Sequence, residues 1–288
     1  MSNIVVKDGL SVDKYFNTSG AGDAASPFLS IPADFYLEVS KGSVPKHSIV
    51  NKFGRNGAVG TSLAFISISG QYQSPIAATS LEILSGSTND TSAGTGARKV
   101  KVVGLDASWN EITVEVTMNG TTAVALGTQL IRVYRMYVSE SGSYATIATP
   151  SHLGRITLRA AGAGATWCII DTIEGTATGF GIGQTQVAGY TIPNGYTGYL
   201  LSKTVTVEST KPASIYFFKR ENADDVTTPF TGAMRLFEQN DGIAQPFNVN
   251  LKAPLQVFPA KTDIGFFAKV GTGTASVSTE FQMLLIAN

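Results

Sequence analysis

The side chains able to do chemistry are few. The 288-residue chain has two histidines, His47 and His152, and one cysteine, Cys168. A zinc site would have to draw on these three and carboxylates, which is a poor inventory. A serine hydrolase needs a histidine base, and no Gly-x-Ser-x-Gly elbow is present. His47 lies in Pro45-Lys46-His47-Ser48 and His152 in Pro150-Ser151-His152-Leu153-Gly154; both contexts are turn-like and read as surface histidines. Cys168 follows Trp167 in an apolar stretch and reads as a buried structural thiol. A glycosidase needs only two carboxyls close in space, so Asp171 with Glu174, or Asp224 with Asp225, can be nominated. Neither pair has a pattern that separates it from solvated loop charge. Calcium at 220–225 has oxygen ligands to draw on but no ordered spacing. Glycine pairs at Gly94-Thr95-Gly96, Gly162-Ala163-Gly164 and Gly179-Phe180-Gly181-Ile182-Gly183 precede strand-like segments. A nucleotide loop needs a helix there. The expectation is therefore no enzyme, no cofactor and no metal.

The elements that would position any site read as strands. Charged residues are only 15% of the chain, with 21 basic and 21 acidic, while 43% is hydrophobic. That balance gives no basic field for nucleic acid and no polybasic membrane anchor. No apolar run is long enough to span a bilayer. In 111–118, Ile112, Val114, Val116 and Met118 share one face, and Glu111, Thr113, Glu115 and Thr117 the other, the period of a half-buried strand. Asn119-Gly120 then predicts a two-residue type I′ turn, with 121–125 running back as partner strand. Lys99 and Lys101 alternate upstream and can meet Glu111 and Glu115 across a strand pair.

Further strands are expected at 63–69, 81–85, 130–138, 155–160 and 167–173. A second series is expected at 185–192, 198–208, 214–220, 233–237, 244–249, 255–258, 263–270 and 275–286. Turns separate them at Pro193-Asn194-Gly195, Asn240-Asp241-Gly242 and Gly271-Thr272-Gly273. Short strands at such spacing predict an all-β chain of two β-sandwich, jelly-roll-like domains, 46–178 and 179–288. Residues 1–45 read as an extended N-terminal arm, or as a surface loop packed on its own domain. Within it, 33–41 predicts a short helix with Asp34 in its first turn and Gly42 at its stop. The last strand turns Ala275, Val277, Phe281, Met283 and Leu285 inward. Its other face becomes apolar at Leu284 and Ile286, which need cover from the same domain or from a neighbouring subunit.

The block Leu84-Ser85-Gly86-Ser87-Thr88-Asn89-Asp90-Thr91-Ser92-Ala93-Gly94-Thr95-Gly96-Ala97-Arg98, followed by Val102-Val103-Gly104-Leu105-Asp106, Trp109-Asn110-Glu111-Ile112 and Val116-Thr117-Met118-Asn119-Gly120-Thr121-Thr122-Ala123-Val124, resembles tailed-bacteriophage virion structural proteins of marine and freshwater phages. Lys52-Phe53-Gly54-Arg55-Asn56 resembles that group's lead-in. Gly183-Gln184-Thr185-Gln186 and the stretch Tyr190 to Thr197 resemble its second half, so about residues 50–288 are covered.

The resemblance implies a structural role in the virion without catalysis. A capsid-decorating, cement-like protein is the first expectation. A neck, tail or fibre-attachment protein is the alternative, as is a tail-spike carbohydrate-binding module with Tyr196 and Tyr199 as its platform. The expected partners are the major capsid protein or other virion proteins and further copies of the chain, a trimer being favoured. The chain is expected to be made in the host cytoplasm and carried on the virion. Candidate interaction residues are Ile4, Val5, Val6, Tyr15, Phe16 and Phe28 in the arm, and Leu284 and Ile286 in the last strand.

Overall fold

The computed structural model describes residues 2–7, 13–18, 34–69, 71–146, 148–172, 182–208, 210–250 and 256–288, the first two ranges by backbone alone. The chain groups into two compact units, 1–48 and 49–288.

In the first unit, β1 (Ser2–Lys7) and β2 (Asp13–Thr18) pair antiparallel, with Ile4 opposite Phe16, Val5 opposite Tyr15 and Lys7 opposite Asp13. This part of the expected arm thus has regular backbone pairing. Ile4-Val5-Val6 and Tyr15-Phe16 are β-branched and aromatic, the residue types that favour strands. Helix α1 (Phe35–Ser40) follows. Asp34 is its N-cap and not a first-turn residue: its carboxylate accepts from the amides of Tyr36 at 3.0 Å and Leu37 at 3.3 Å. Such a cap satisfies amides that a helix start otherwise leaves open. Gly42, at φ +73°, ends the turn.

The second unit is nearly all β. In chain order its strands are β3 (His47–Val59, which starts in the first unit), β4 (Ala64–Phe65), β5 (Thr79–Ser85), β6 (Ala97–Leu105), β7 (Glu111–Thr117), β8 (Val124–Leu130), β9 (Arg132–Ser141), β10 (Ile156–Ala160) and β11 (Thr166–Ile170). After them come β12 (Gly189–Thr191), β13 (Tyr196–Val207), β14 (Ala213–Arg220), β15 (Arg235–Ile243), β16 (Phe247–Asn250), β17 (Val257–Phe258), β18 (Asp263–Val270) and β19 (Ala275–Ala287). One pair of sheets runs β11-β10-β5-β8 and β7-β6-β9. Their inward residues, among them Ile83, Val100, Val102, Met136, Leu158 and Cys168, form one hydrophobic cluster. The other pair runs β12-β18-β14-β15 and β16-β13-β19-β3, with β4 on β18 and β17 on β13. The second cluster gathers Phe217, Phe258, Phe266 and Phe281 with Val205, Val277 and Met283. Phe217 and Phe266 stack with centroids 4.4 Å apart.

Two features depart from the expected layout. The range expected to build the first sandwich contains β3 and β4, yet β3 neighbours β19, and Phe65 of β4 pairs with Phe267 of β18. Gly54 makes this possible. A Cβ there would lie 2.2 Å from the Ala188 amide nitrogen, so only glycine lets β3 approach so closely. The expected boundary at residue 178 lies outside the described residues.

The Asn119-Gly120 hairpin does not form either. Strand β8 pairs with β5, not with β7, and only Gly120 of the two has positive φ. The Gly120 amide donates to the Asp90 carbonyl at 2.7 Å, and its carbonyl accepts from Ser85 at 2.8 Å. The turn therefore carries the chain from one sheet to the facing one. Among the described residues, no helix is long and apolar enough to cross a membrane.

Candidate functional site: buried polar joints and exposed surfaces

The chemistry-bearing side chains of the second unit are mostly spent on its own chain. Asp90 is fully buried. Its Oδ1 accepts from the amides of Ala97 at 2.8 Å and Leu153 at 3.0 Å. Its Oδ2 accepts from Gly154 N at 2.9 Å and from the Ser85 hydroxyl. Hydrogen bonds to an ionised acceptor are the strong ones, so one carboxylate pins 85–97 to 153–154. Gly96 is required beside it, because a Cβ would fall 1.9 Å from Oδ1.

A second joint connects the two pairs of sheets. Arg132, fully buried at the start of β9, makes a two-pronged contact with Asp263 at the start of β18: Nε to Oδ1 and Nη2 to Oδ2, each 2.8 Å. Its Nη1 donates to the carbonyls of Pro75 at 3.0 Å and Ile131 at 2.8 Å. The guanidinium also lies 4.8 Å from the centre of the Trp109 ring. Thr191 donates to Asp263 at 2.7 Å, and Tyr72 bonds Thr191 at 2.6 Å. Few lone pairs or protons remain open, the condition under which a buried ion pair is tolerated.

A third cluster surrounds Lys52 on β3. Its Nζ donates to the Tyr134 carbonyl, while the Tyr134 and Tyr190 hydroxyls both donate to Glu111. Burial pushes the Lys52 amine down to about 7 and the neighbouring Cys168 thiol up to about 12. Burial likewise pushes the Tyr134 and Tyr190 hydroxyls up. A thiol held protonated is inert as a nucleophile.

The sequence-nominated groups are accounted for in the same way. His152 is fully buried and not on the surface; its Nδ1 lies 2.8 Å from the Gly154 carbonyl oxygen, beside the Asp90 joint. His47 packs edge-on against Phe35. Cys168 is buried. Asp171 pairs with Arg155, and Asp224 with Lys261, both at 2.7 Å; Asp225 holds the amide and hydroxyl of Thr231. Glu174 lies outside the described residues. The Gly162-Ala163 turn does form an anion-binding concavity, but Glu82 fills it by accepting from both amides at 3.1 Å. Lys99 and Lys101 meet Glu115 at 3.9 and 3.8 Å, as the alternation predicts. Glu111 turns instead to Tyr134.

Ile4, Val5, Val6, Tyr15 and Phe16 lie in β1 and β2, where the backbone alone is described; Phe28 lies outside the described residues. Leu284 is 5% exposed in the isolated chain, so its own chain covers it, and Ile286 is half-buried. Tyr196 packs on the second hydrophobic cluster. The large apolar side chains left exposed are others, including Ile76, Tyr144, Phe230, Met234 and Leu236. Leu236 sits on β15, at the edge of its sheet, opposite Phe218. Its exposure could have been suspected from the broken alternation of Arg235-Leu236-Phe237-Glu238, in which adjacent apolar residues point to opposite faces.

No family model and no curated protein matches the chain. Among solved structures, that of the infectious bursal disease virus Gx strain aligns at 10% identity over 90% of this chain and 74% of that chain, with a TM-score of 0.21. The VP2 subviral particle of infectious bursal disease virus aligns at 11% identity over 88% of this chain and 82% of that chain, with a TM-score of 0.17. Scores this low do not establish a shared fold.

Proposed function

We propose that this chain is a non-enzymatic structural protein of a tailed-phage virion, specifically a capsid-decorating protein that binds the assembled shell as a homo-oligomer, a trimer being favoured. One observation carries the reading. The block 84–124, which bears the resemblance to phage virion proteins, is the block that buried Asp90 organises, its carboxylate through Ser85 and Ala97 and its main-chain carbonyl through Gly120. The sequence signature and the rigid joint coincide. On this reading the two pairs of sheets act as two sandwiches of jelly-roll kind, locked by Arg132 and Asp263. Such bodies suit coat work because a stiff scaffold can carry variable loops. Residues 1–45 supply attachment to the major capsid protein or other virion proteins, since a short paired segment gains most of its stability from what it packs against.

Deleting residues 1–45 from the chain in the phage tests this. The melting temperature of the isolated protein should stay nearly unchanged while particles lose the protein. Full occupancy without the segment, or a collapse in melting temperature, refutes the attachment role. Counting copies per particle in the same preparations separates the locations. Hundreds of copies fit the shell, whereas about six to eighteen, the multiplicities of a neck or tail ring, would move the protein there.

A further inference from the structure

A groove of about 320 Å³ opens beside β3 on the outer face of the sheet formed by β13 and β19. Its floor is set by strand register. Thr204 stands opposite Glu280, and Thr206 opposite Ser278. Val205, between the first two, and Val277 and Phe281, which flank the second two, point the other way, into the second hydrophobic cluster, and Thr279 is buried with them, so Thr204, Thr206, Ser278 and Glu280 share the outward face. Directly opposed side chains stand about 5 Å apart, which gives a two-by-two grid of three hydroxyls and one carboxylate. Phe53 and Gln186 also line the groove. Among the described residues, none of the four floor side chains makes a hydrogen bond or ion pair within the chain. By contrast, Glu82, Glu221 and Asp224 are each paired with a cation of their own chain.

We infer that this groove binds a saccharide ring. A hexose carries several hydroxyls around a ring with an apolar C–H face. The hydroxyls can donate to Glu280 and exchange hydrogen bonds with Thr204, Thr206 and Ser278. The C–H face can rest on Phe53, the aromatic group at the groove, which is 38% exposed. The volume is at the small end of the range of about 300–1,000 Å³ usual for ligand sites, which fits one or two sugar rings and not a longer chain. Lys52 and Arg55 line the groove as well as Glu280, so its charge is mixed, and inorganic phosphate is the control that separates an anion site from a sugar site. None of the described lining residues belongs to 1–45, so a glycan-binding role adds to the proposed shell attachment and does not rest on it.

The test uses the full chain with methyl α-glucopyranoside, galactose, rhamnose and N-acetylglucosamine as probes. Inorganic phosphate and triglycine serve as controls. Saturation-transfer and amide-shift measurements should show millimolar binding of at least one sugar, with shifts confined to β3, β13 and β19. The double variant Thr206→Val with Ser278→Ala changes surface side chains and should keep the melting temperature while weakening that sugar several-fold. Thr272→Val, in the 271–273 turn and outside the groove lining, should leave binding unchanged. No shift with any of the four sugars overturns the inference, and so does binding that survives the double variant. A groove that answers to phosphate or triglycine in preference to sugar overturns it too. The double variant should still enter particles normally, so failure here is distinct from failure of the virion reading.

Discussion

The two pairs of sheets solve the same packing problem from different chain material. The first takes β5 to β11, one uninterrupted run from Thr79 to Ile170. The second takes β12 to β19 together with β3 and β4, which precede the whole first pair. The first can close with contacts near in sequence, whereas the second must bring together segments separated by the entire first pair. Closing a longer loop costs only slightly more free energy, so the difference weighs on folding order more than on final stability. The polar joints follow the same division. Asp90 ties loops within the first pair, and Arg132–Asp263 ties the first pair to the second.

The largest effect should come from the joint between them. Arg132→Ala leaves Asp263 charged and buried, a class of change that costs about 3–5 kcal/mol. Denaturant unfolding should report that loss, and amide exchange should rise in both pairs of sheets. If only one pair loosens, the two are not coupled through this contact. The double variant Arg132→Met with Asp263→Leu should recover most of the loss, since no charge is then left alone.

Asp90→Ala should cost less, about 2–3 kcal/mol, as several buried donors lose their acceptor and water enters the gap. Its imprint should be local: faster exchange at Ala97, Leu153 and Gly154, with β13 and β19 unchanged. Equal loosening of β13 and β19 would erase the distinction between a private joint and a shared one.

The third effect is pH-dependent and sharpens the picture at β3. The folded Lys52 amine is held at about 7, below its ordinary 10.5, so above pH 7 the unfolded chain binds the extra proton. Stability should therefore rise with pH, by at most about 1.4 kcal/mol per pH unit, between pH 7 and 9. Above pH 9 the Cys168 thiol, held at about 12 when folded, works in the opposite sense and should flatten the rise. Lys52→Met should abolish the rise, and Cys168→Ala should extend it upward. A wild-type curve with no upward slope from pH 7 to 9 would show that the amine is not desolvated.

The sequence was most legible where one face alone is buried. Strand β18 was expected at 263–270 and runs Asp263–Val270. The inward set of the last strand, Ala275, Val277, Phe281, Met283 and Leu285, is the set found in the core. Strand β3 escaped because its buried positions include Lys52 and Gly54, where a period of two calls for apolar side chains. Their fitness is decided by Tyr134 and Ala188, which lie far off in sequence. Asn240-Asp241-Gly242 carries every local mark of a turn yet lies within β15; Gly242 keeps its positive φ, and shifts in the pairing with β14 absorb the irregularity. The buried joints had a weaker signal. An arginine directly after Leu130-Ile131 in an apolar run implies a buried partner, but only the fold could name Asp263. The groove floor was visible as polar alternation along 204–206 and 278–280, and their juxtaposition depended on register.

The placement of β3 also matters while the chain is being made. Val59 ends β3 and Ala275 starts its neighbour β19, so about 215 residues must leave the ribosome before that neighbour exists. At about 5–20 residues per second this is a wait of roughly 10–45 s. Throughout it, β3 is a nascent strand without its final partner, the kind of segment that recruits the wrong one. Lys52 and Gly54 are poor material for mispairing: a charge that resists burial and a residue that gives a foreign sheet nothing to pack on. The lysine that weighs on the finished protein at neutral pH is thus also the one that keeps its earliest long strand unattached until the last strand arrives.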